Sequence, residues 1–84
     1  MHFLYVLRST ITHRHYIGIT AELEKRLGTH NNGSVRSTKP YRPWKLVHTE
    51  TFCDKKEARK REIFLKKTAR ARTELYQKVD GPFV

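Results

Sequence analysis

The chain has 84 residues, and 18 Lys and Arg against 8 Asp and Glu give it a formal net charge of +10. A chain of this length favours one domain with a modest core, and no run of residues approaches the ~20 apolar residues of a membrane span. So strong a positive charge on a small body attracts polyanions, and nucleic acid is therefore the expected class of partner.

The single cysteine, Cys53, excludes an internal disulfide and a paired-cysteine zinc site. It ends the apolar stretch 51–53, which predicts a buried and inert thiol. No secretory signal is visible, because the apolar run at residues 3–7 is short and ends at Arg8. We therefore expect a cytoplasmic protein in a reducing compartment, with no membrane partner.

The first twenty residues predict a β-hairpin. Residues 2–8 are rich in aromatic and β-branched side chains, residues 9–14 are polar and turn-like, and residues 15–19 predict a second strand. The short connection favours antiparallel pairing. Alternation divides the first strand between two faces, with Phe3, Tyr5 and Leu7 on one and Leu4 and Val6 on the other.

A helix is predicted over about residues 21–31. Thr20 is the expected N-cap, and Glu22 lies in the first turn, where a negative charge is favoured. Asn31, Asn32 and Gly33 end the helix, because these residue types accept the left-handed conformation. At 100° per residue, one side of the helix carries Leu23, Arg26, Leu27 and His30.

The second half of the chain predicts a loop at 34–43, a strand at 44–52, helices at about 55–67 and 69–79, and a tail at 80–84. Asp54 and Glu57 resemble a capping box before the first of these helices. The last helix offers four residues for packing: Ala71, Leu75, Tyr76 and Val79. The order ββαβα(α) predicts an α+β fold, in which helices flank a small three-stranded antiparallel sheet.

Glu62 is unexpected on the helix predicted at 55–67. It projects within the apolar arc that carries Ala58, Leu65 and, just beyond the helix, Ala69. A carboxylate on an inward face needs a partner. The ordinary explanation is an ion pair with Arg59 or Lys66.

Five polar side chains are expected to converge on one surface of the sheet: Tyr5, Tyr16, Arg26, His30 and Glu62. Phosphodiester cleavage uses such a set. A guanidinium clamps the charge of the transition state, a carboxylate holds a hydrated Mg²⁺, and a histidine or a tyrosine of lowered pKa activates water. Each residue type also has an ordinary structural role, so only their joint order along the chain carries the inference.

The joint pattern resembles the GIY-YIG nuclease superfamily. Its two signatures match Leu4-Tyr5-Val6 and Tyr16-Ile17-Gly18, and they are followed by the helix with Arg26 and His30 and then by the helix with Glu62. The resemblance covers about residues 3–67 and leaves the last helix and tail, 68–84, outside it. The chain is similar to short single-domain bacterial members that resemble the N-terminal nuclease domain of excinuclease C.

The resemblance implies a role for each of the five residues. Tyr16 matches the tyrosine proposed as general base, and Tyr5 matches the tyrosine of the first signature that supports the site. Arg26 matches the arginine that stabilises the scissile phosphate, and His30 matches a position that orients or relays the proton. Glu62 matches the metal ligand, which implies one Mg²⁺ or Mn²⁺ ion as cofactor.

Two further residues are expected to be structural. Gly18 lets backbone and substrate approach closely, because it has no side chain. Asn31 is the other. No asparagine follows Glu62, so the role of the family's late asparagine is either unfilled or filled by Asn31. The first signature also has Leu4 where the family name has glycine.

The expected function is a metal-dependent endonuclease that hydrolyses DNA with little sequence specificity. Four basic residues are expected to grip phosphates: Arg36, Lys39, Arg42 and Lys60. Branched DNA, single-stranded DNA and RNA all stay open as substrates, as does the oligomeric state. Two alternatives also stay open, a non-catalytic nucleic-acid-binding domain that retains the fold and a small basic protein that binds RNA or ribosomes through charge.

Overall fold

A three-stranded antiparallel sheet lies at the centre of the structure. In the computed structural model, which describes residues 1–81, β1 spans His2–Ser9, β2 spans His15–Thr20 and β3 spans Trp44–Phe52. The strand order is β2-β1-β3, so β1 is paired on both edges. Four consecutive residues of β1, numbers 4–7, are buried because both faces of this central strand are covered. The sheet predicted from the sequence is confirmed.

In the described part of the chain three α-helices flank the sheet: α1 spans Leu23–Asn31, α2 spans Lys55–Lys67 and α3 spans Ala69–Asp80. The predicted bounds of α2 are confirmed, and so is its cap, since the Asp54 carboxylate accepts a hydrogen bond of 2.9 Å from the Glu57 amide. The loop before β3 contains a single turn of 3₁₀ helix, Lys39–Tyr41, which the sequence did not predict.

Successive side chains of β1 point to opposite faces of the sheet and pack into two separate apolar clusters. On one face Leu4 and Val6 pack with Ile17 of β2, Leu65 of α2 and Leu75 of α3. On the other face β1 packs against α1 and the start of β3, in a second cluster made of Tyr5, Leu7, Trp44, Leu23 and Leu27. The division of faces and the inward side of α1 are as the sequence predicted.

The start of α1 differs from the prediction. The helix begins at Leu23 with Glu22 in the capping position, and Thr20 is not its N-cap. The Thr20 hydroxyl instead accepts a hydrogen bond of 3.1 Å from the Glu22 amide. This local turn competes with helix formation, so the helix starts two residues later than expected.

Cys53 was expected to be buried, and this prediction is wrong because its side chain is exposed. Phe52 is the last residue of β3, so Cys53 lies in the bend before α2 and no longer follows the alternation of the strand. Ala69 is likewise exposed at the start of α3 rather than on the inward arc of α2.

The predicted tail begins too early in the chain. Asp80 is the last residue of α3, and its side chain is only 5% exposed. One Asp80 carboxylate oxygen lies 2.7 Å from Nε2 of His15, so the pair joins the end of α3 to β2. The rest of the predicted tail, residues 82–84, lies outside the described residues.

Candidate active site

Tyr5 lies at the centre of a buried polar group. Tyr5 is only 2% exposed on the central strand, and its hydroxyl oxygen lies 2.9 Å from Nε2 of His30. The same oxygen accepts a hydrogen bond of 3.3 Å from Nε of Arg26. Burial raises the pKa of Tyr5, and the hydrogen bond from Arg26 offsets only part of that effect. Tyr5 is therefore a protonated phenol at neutral pH.

His30 is the partner that α1 supplies to Tyr5. It lies in the last turn of the helix and is fully buried. Burial and the nearby charge of Arg26 lower the pKa of His30 from 6.5 to about 4, so the imidazole is neutral at pH 7. Its second nitrogen, Nδ1, lies 2.9 Å from the hydroxyl oxygen of Thr38.

Thr38 is a site residue that the sequence analysis missed. It lies in the loop before β3, yet it is only 1% exposed, and its carbonyl accepts a hydrogen bond of 2.9 Å from Nε1 of Trp44. Thr38 occurs in a polar stretch with no periodicity. Its burial depends on contacts with distant residues, so no local signal could have identified it.

Tyr16 of β2 completes the aromatic part of the group. Its ring centroid lies 6.2 Å from that of Tyr5 and 4.7 Å from that of His30. Tyr16 is partly exposed whereas Tyr5 is buried, so water reaches the first phenol more readily than the second. Gly18 has no side chain at the place where a Cβ would meet both tyrosines.

Arg26 connects the buried group to the surface. Its pKa is raised chiefly by the hydrogen bond to Tyr5, and the side chain stays charged at every pH of interest. It lines a cavity of about 170 Å³ together with Thr20, Glu22, Lys25 and Thr29. Arg26 therefore lines an open recess while its Nε is hydrogen-bonded to Tyr5.

Glu62 is buried and forms ion pairs with Arg59 and Lys66 of the same helix. Its side chain is 10% exposed, with Oε2 3.1 Å from Nζ of Lys66 and Oε1 3.6 Å from Arg59. Both ion pairs suggested by the sequence are thus present. Helix α2 packs Leu65 into the Leu4 and Val6 cluster, so Glu62 does not come from the sheet face that carries Tyr5.

The link between Glu62 and the tyrosines runs through Lys66. The ammonium group of Lys66 lies 5.9 Å from the centroid of the Tyr16 ring. Burial is the main cause of the raised pKa of Tyr5, and the charge of Glu62 adds a small contribution. Within residues 1–81 there is no group of three His, Cys, Asp or Glu side chains placed to hold a metal ion. An ion at Glu62 would therefore rely on few protein ligands.

Asn31 lies apart from the phenol and imidazole group. Its side-chain amide donates a hydrogen bond of 3.0 Å to the carbonyl of Trp44, and its oxygen accepts one of 2.6 Å from the Trp44 amide. These bonds fix the end of α1 to the first residue of β3. Asn31 thereby helps to position the loop that carries Thr38.

The basic residues expected to bind phosphate occupy two places. Arg36, Lys39 and Arg42 are exposed on the loop whose inner residue, Thr38, contacts His30. The side chains of Lys39 and Arg42 both pass close to Gly33, which has a φ of +85°. Lys60 is exposed on α2, and its ammonium lies 3.5 Å from the carboxylate of Glu57.

None of the helices described in residues 1–81 combines the length and apolar character that crossing a membrane requires.

The chain is similar to known proteins over most of its length. The family model described as the GIY-YIG catalytic domain matches residues 1–77. UPF0213 protein YazA of Bacillus subtilis is 41% identical over 76 residues, which cover 89% of this chain and 76% of that protein. UPF0213 protein VNG_2274C of Halobacterium salinarum is 36% identical over 75 residues, which cover 88% of this chain and 96% of that protein.

A solved structure supports the same assignment. The solution NMR structure of UPF0213 protein BH0048 from Bacillus halodurans superposes with a TM-score of 0.58 at 28% sequence identity, and the match covers 98% of this chain and 88% of that one. The fold and the sequence lead to one conclusion, which confirms the resemblance inferred from the two tyrosine signatures. The chain belongs to the GIY-YIG family of nuclease domains.

Proposed function

We propose that the protein is a metal-dependent endonuclease that hydrolyses phosphodiester bonds in DNA with little sequence specificity. The observation that carries this proposal is the hydrogen-bonded group of Arg26, Tyr5 and His30, with the Tyr16 ring beside it. Phosphoryl transfer depends mainly on positioning and on preorganised charge, and such a group supplies both. Membership of the GIY-YIG family supports the same reaction.

Arg26 is the proposed phosphate ligand. Its Nε donates to Tyr5, which fixes the plane of the guanidinium at the edge of the recess. The two terminal nitrogens then present a fork that suits two phosphate oxygens. In this role Arg26 stabilises the charge that builds up on the phosphate as the water attacks.

Tyr16 is the proposed partner of the attacking water. It is the more accessible of the two phenols, and the cations Arg26 and Lys66 lie close to it. The Tyr16 oxygen then orients the water and accepts its proton, and the hydroxyl proton that Tyr16 carried is released to solvent. Tyr5 and His30 hold the arrangement from the buried side.

Glu62 suits a hydrated Mg²⁺ or Mn²⁺ ion. A hard ion of this kind keeps several waters and is held by one or two carboxylates together with substrate phosphates, so a single buried carboxylate meets its needs. The cations on Glu62 have solvent to turn into when an ion takes their place, because the Lys66 and Arg59 side chains are 50% and 62% exposed. When bound, such an ion neutralises phosphate charge and lowers the pKa of its own water.

The exposed cations of the Thr38 loop are proposed to bind the substrate backbone. Arg36, Lys39 and Arg42 lie on the outer side of the segment that contacts His30 on its inner side. Phosphates held there would be bound by the same loop that positions His30. Contacts of this kind set the position of the strand but read no bases, which agrees with cleavage of low sequence specificity.

The test is cleavage of end-labelled DNA and RNA substrates, as single strands, duplexes, flaps and branched junctions, with Mg²⁺ or Mn²⁺ and with EDTA. We expect metal-dependent cutting of DNA. Glu62→Ala is expected to lower the rate at least about 10³-fold, because the metal contributes several kcal/mol to the transition state. Tyr16→Phe is expected to lower it by about 10²-fold or more.

Glu57→Ala is the matched control for Glu62→Ala. It removes a carboxylate from the same helix, but Glu57 is exposed and pairs only with Lys60 in the described part of the chain. Its rate is expected to equal that of the wild type. If folded Glu62→Ala protein cuts as fast as the Glu57→Ala control, the assignment of Glu62 is wrong.

A non-catalytic nucleic-acid binder is the second candidate, and the two ion pairs of Glu62 favour it. In that case Glu62 has only the structural task of neutralising Arg59 and Lys66. Salt-dependent binding of DNA or RNA without cleavage in either metal, on every substrate of the panel, would establish this function.

A further inference from the structure

A continuous chain of hydrogen bonds runs from a buried loop residue to the proposed phosphate ligand. Thr38 Oγ1 lies 2.9 Å from Nδ1 of His30, and Nε2 of His30 lies 2.9 Å from the hydroxyl of Tyr5. Arg26 then donates to the Tyr5 oxygen over 3.3 Å. A neutral imidazole in the middle of such a chain carries one proton, and the position of that proton sets the direction of the two bonds that His30 makes.

The Arg26 end of the chain fixes one direction. A guanidinium only donates, so the Tyr5 oxygen is the acceptor of the bond from Arg26. The Tyr5 hydroxyl hydrogen is left to make the other bond that the structure gives this group within residues 1–81, the bond to His30. This arrangement gives the Tyr5 hydrogen a partner only if Nε2 of His30 is an acceptor without a proton, so it favours that tautomer.

The Thr38 end gives the same answer independently. The Thr38 hydroxyl also lies 3.3 Å from the carbonyl oxygen of Val35, which only accepts. The hydroxyl hydrogen therefore goes to Val35, and the oxygen accepts a hydrogen bond from Nδ1 of His30. Both ends of the chain select the Nδ1–H tautomer. The lowered pKa of His30, caused by burial and then by Arg26, keeps the ring in this neutral form.

We propose that Thr38 is a positioning residue of the active site: it holds His30 in the Nδ1–H tautomer and thereby turns the Tyr5 hydroxyl hydrogen away from the substrate. This inference rests on the proposed nuclease function. With its hydrogen on His30, Tyr5 presents to Arg26 an oxygen that accepts the hydrogen bond from the guanidinium. In the opposite tautomer that oxygen would accept from both His30 and Arg26, and its hydrogen would point outward as a donor.

The fold holds Thr38 firmly enough for this task. Thr38 is only 1% exposed, and its backbone carbonyl accepts a hydrogen bond from the indole of Trp44. Because Thr38 is buried behind His30, it does not touch a substrate bound at Arg26. A role exerted through His30 alone therefore predicts an effect on kcat with little effect on KM.

Thr38→Val is the test variant, because valine has nearly the same shape and lacks the hydroxyl. Thr38→Ser keeps the hydroxyl and is the conservative variant. Thr51→Val is the matched control, since Thr51 is an exposed β3 residue opposite Phe3. The ¹⁵N chemical shifts of the His30 ring report the tautomer directly. A His30→Gln spectrum identifies the resonances, and kcat and KM are measured in parallel.

In the wild type and in Thr51→Val we expect His30 to give the Nδ1–H signature throughout the pH range 6–8. Thr38→Val is expected to populate the Nε2–H form. Its kcat should fall about 10- to 100-fold, at or below the lower end of the usual contribution of a positioned acid or base, and its KM should stay within about twofold. Thr38→Ser is expected to restore both the tautomer and the rate to within about threefold.

The proposal is overturned if wild-type His30 is in the Nε2–H form, or if Thr38→Val keeps both the Nδ1–H signature and the wild-type kcat. Where Thr38→Val fails to fold, the wild-type tautomer and the serine variant still decide the question. A protein that shows the expected tautomers but cuts no substrate refutes the nuclease function and leaves the positioning of His30 by Thr38 intact.

Discussion

Gly18 and Tyr5 are paired across the β1 and β2 strands so closely that a Cβ at position 18 would lie 2.5 Å from the Tyr5 hydroxyl oxygen. The same Cβ would lie 3.0 Å from the ring of Tyr16. Tyr5 cannot move aside easily, because His30 and Arg26 hold its hydroxyl in a buried position. The rings of Tyr5 and Tyr16 thus occupy the space that a side chain at position 18 would need, which explains the glycine in the second signature.

Gly18→Ala is expected to displace Tyr5 and to reduce cleavage by about 10²-fold, the loss that a shift of about 1 Å in an active site produces. Overpacking is also expected to lower the free energy of unfolding by about 1–3 kcal/mol. Urea unfolding and a single-turnover cleavage assay measure the two effects. Unchanged values of both would show that the tyrosine pair tolerates a side chain at this place.

Gly28→Ala is predicted to do the reverse. Gly28 lies within α1, and apart from its own stretch of helix a Cβ there would meet no atom of residues 1–81 within 4 Å. Alanine loses less conformational freedom than glycine in a helix, so the free energy of unfolding should rise by about 0.5–1 kcal/mol with no change in cleavage. A loss of stability in thermal unfolding would contradict the open surroundings of Gly28 and remove this variant as the control for Gly18→Ala.

Local patterns predicted the elements of this fold well and its buried polar contacts poorly. The bounds of β3 and α2 followed from β-branched runs and from the Asp54 cap, which depend on residues close in sequence. Glu62 was identified as an inward carboxylate because its position on α2 follows from helical periodicity. Thr38 and Asp80 were missed because their burial depends on His30 and His15, which are far away in the sequence.

Acid is predicted to destabilise the protein through His30. Its pKa is about 4 in the native state, through burial and Arg26, and near 6.5 in the unfolded chain. The unfolded state therefore binds more protons between these values, so stability is complete above pH 6.5 and falls as the pH drops towards 4. The expected loss is roughly 3 kcal/mol. Urea unfolding at several pH values measures it.

The control for this pH dependence is His30→Gln, which cannot titrate. Glu50 also contributes to the loss of stability in acid. Burial acts to raise the pKa of Glu50, but hydrogen bonds from Arg61 and His48 outweigh this effect and lower the pKa overall. Stability from Glu50 is lost as the pH falls below about 4.5, equally in both proteins. If wild type and variant lose stability in parallel from pH 6.5 to 4, His30 does not carry the effect.

Asp80 is predicted to stabilise the protein without contributing to cleavage. Its carboxylate is buried against His15, whose ring stacks on Tyr76 at a centroid distance of 3.9 Å. Asp80→Ala leaves His15 without its partner and should lower the free energy of unfolding by about 1–3 kcal/mol. The kcat should stay unchanged, because His15 and Tyr16 are neighbours on a strand and point to opposite faces.

The exposed ion pair of Glu74 with Arg70 on the same helix supplies the comparison for Asp80. Glu74→Ala should cost less than about 1 kcal/mol, since surface pairs contribute little. Equal losses of stability for Asp80→Ala and Glu74→Ala would mean that the contact between α3 and β2 is no stronger than a surface pair.

The loop cations Arg36, Lys39 and Arg42 are predicted to set the salt dependence of DNA binding. Each phosphate contact contributes about 0.9 to the slope of log K against log salt concentration for duplex DNA and about 0.7 for single strands. The triple alanine variant should therefore lower that slope by about 2–3 on duplex DNA. Binding is measured by fluorescence anisotropy in the Glu62→Ala background, which leaves the substrate uncut.

Two lysines calibrate this measurement. Lys78 is exposed on α3, which packs on the Leu4 and Val6 face, so Lys78→Ala should leave the slope unchanged. Lys60 forms an ion pair with Glu57, which partly neutralises its charge. Lys60→Ala should therefore change the slope by less than the alanine substitution of any one loop cation. A triple loop variant that keeps the wild-type slope would place the phosphate contacts elsewhere, with the cations of α2 as the next surface to test.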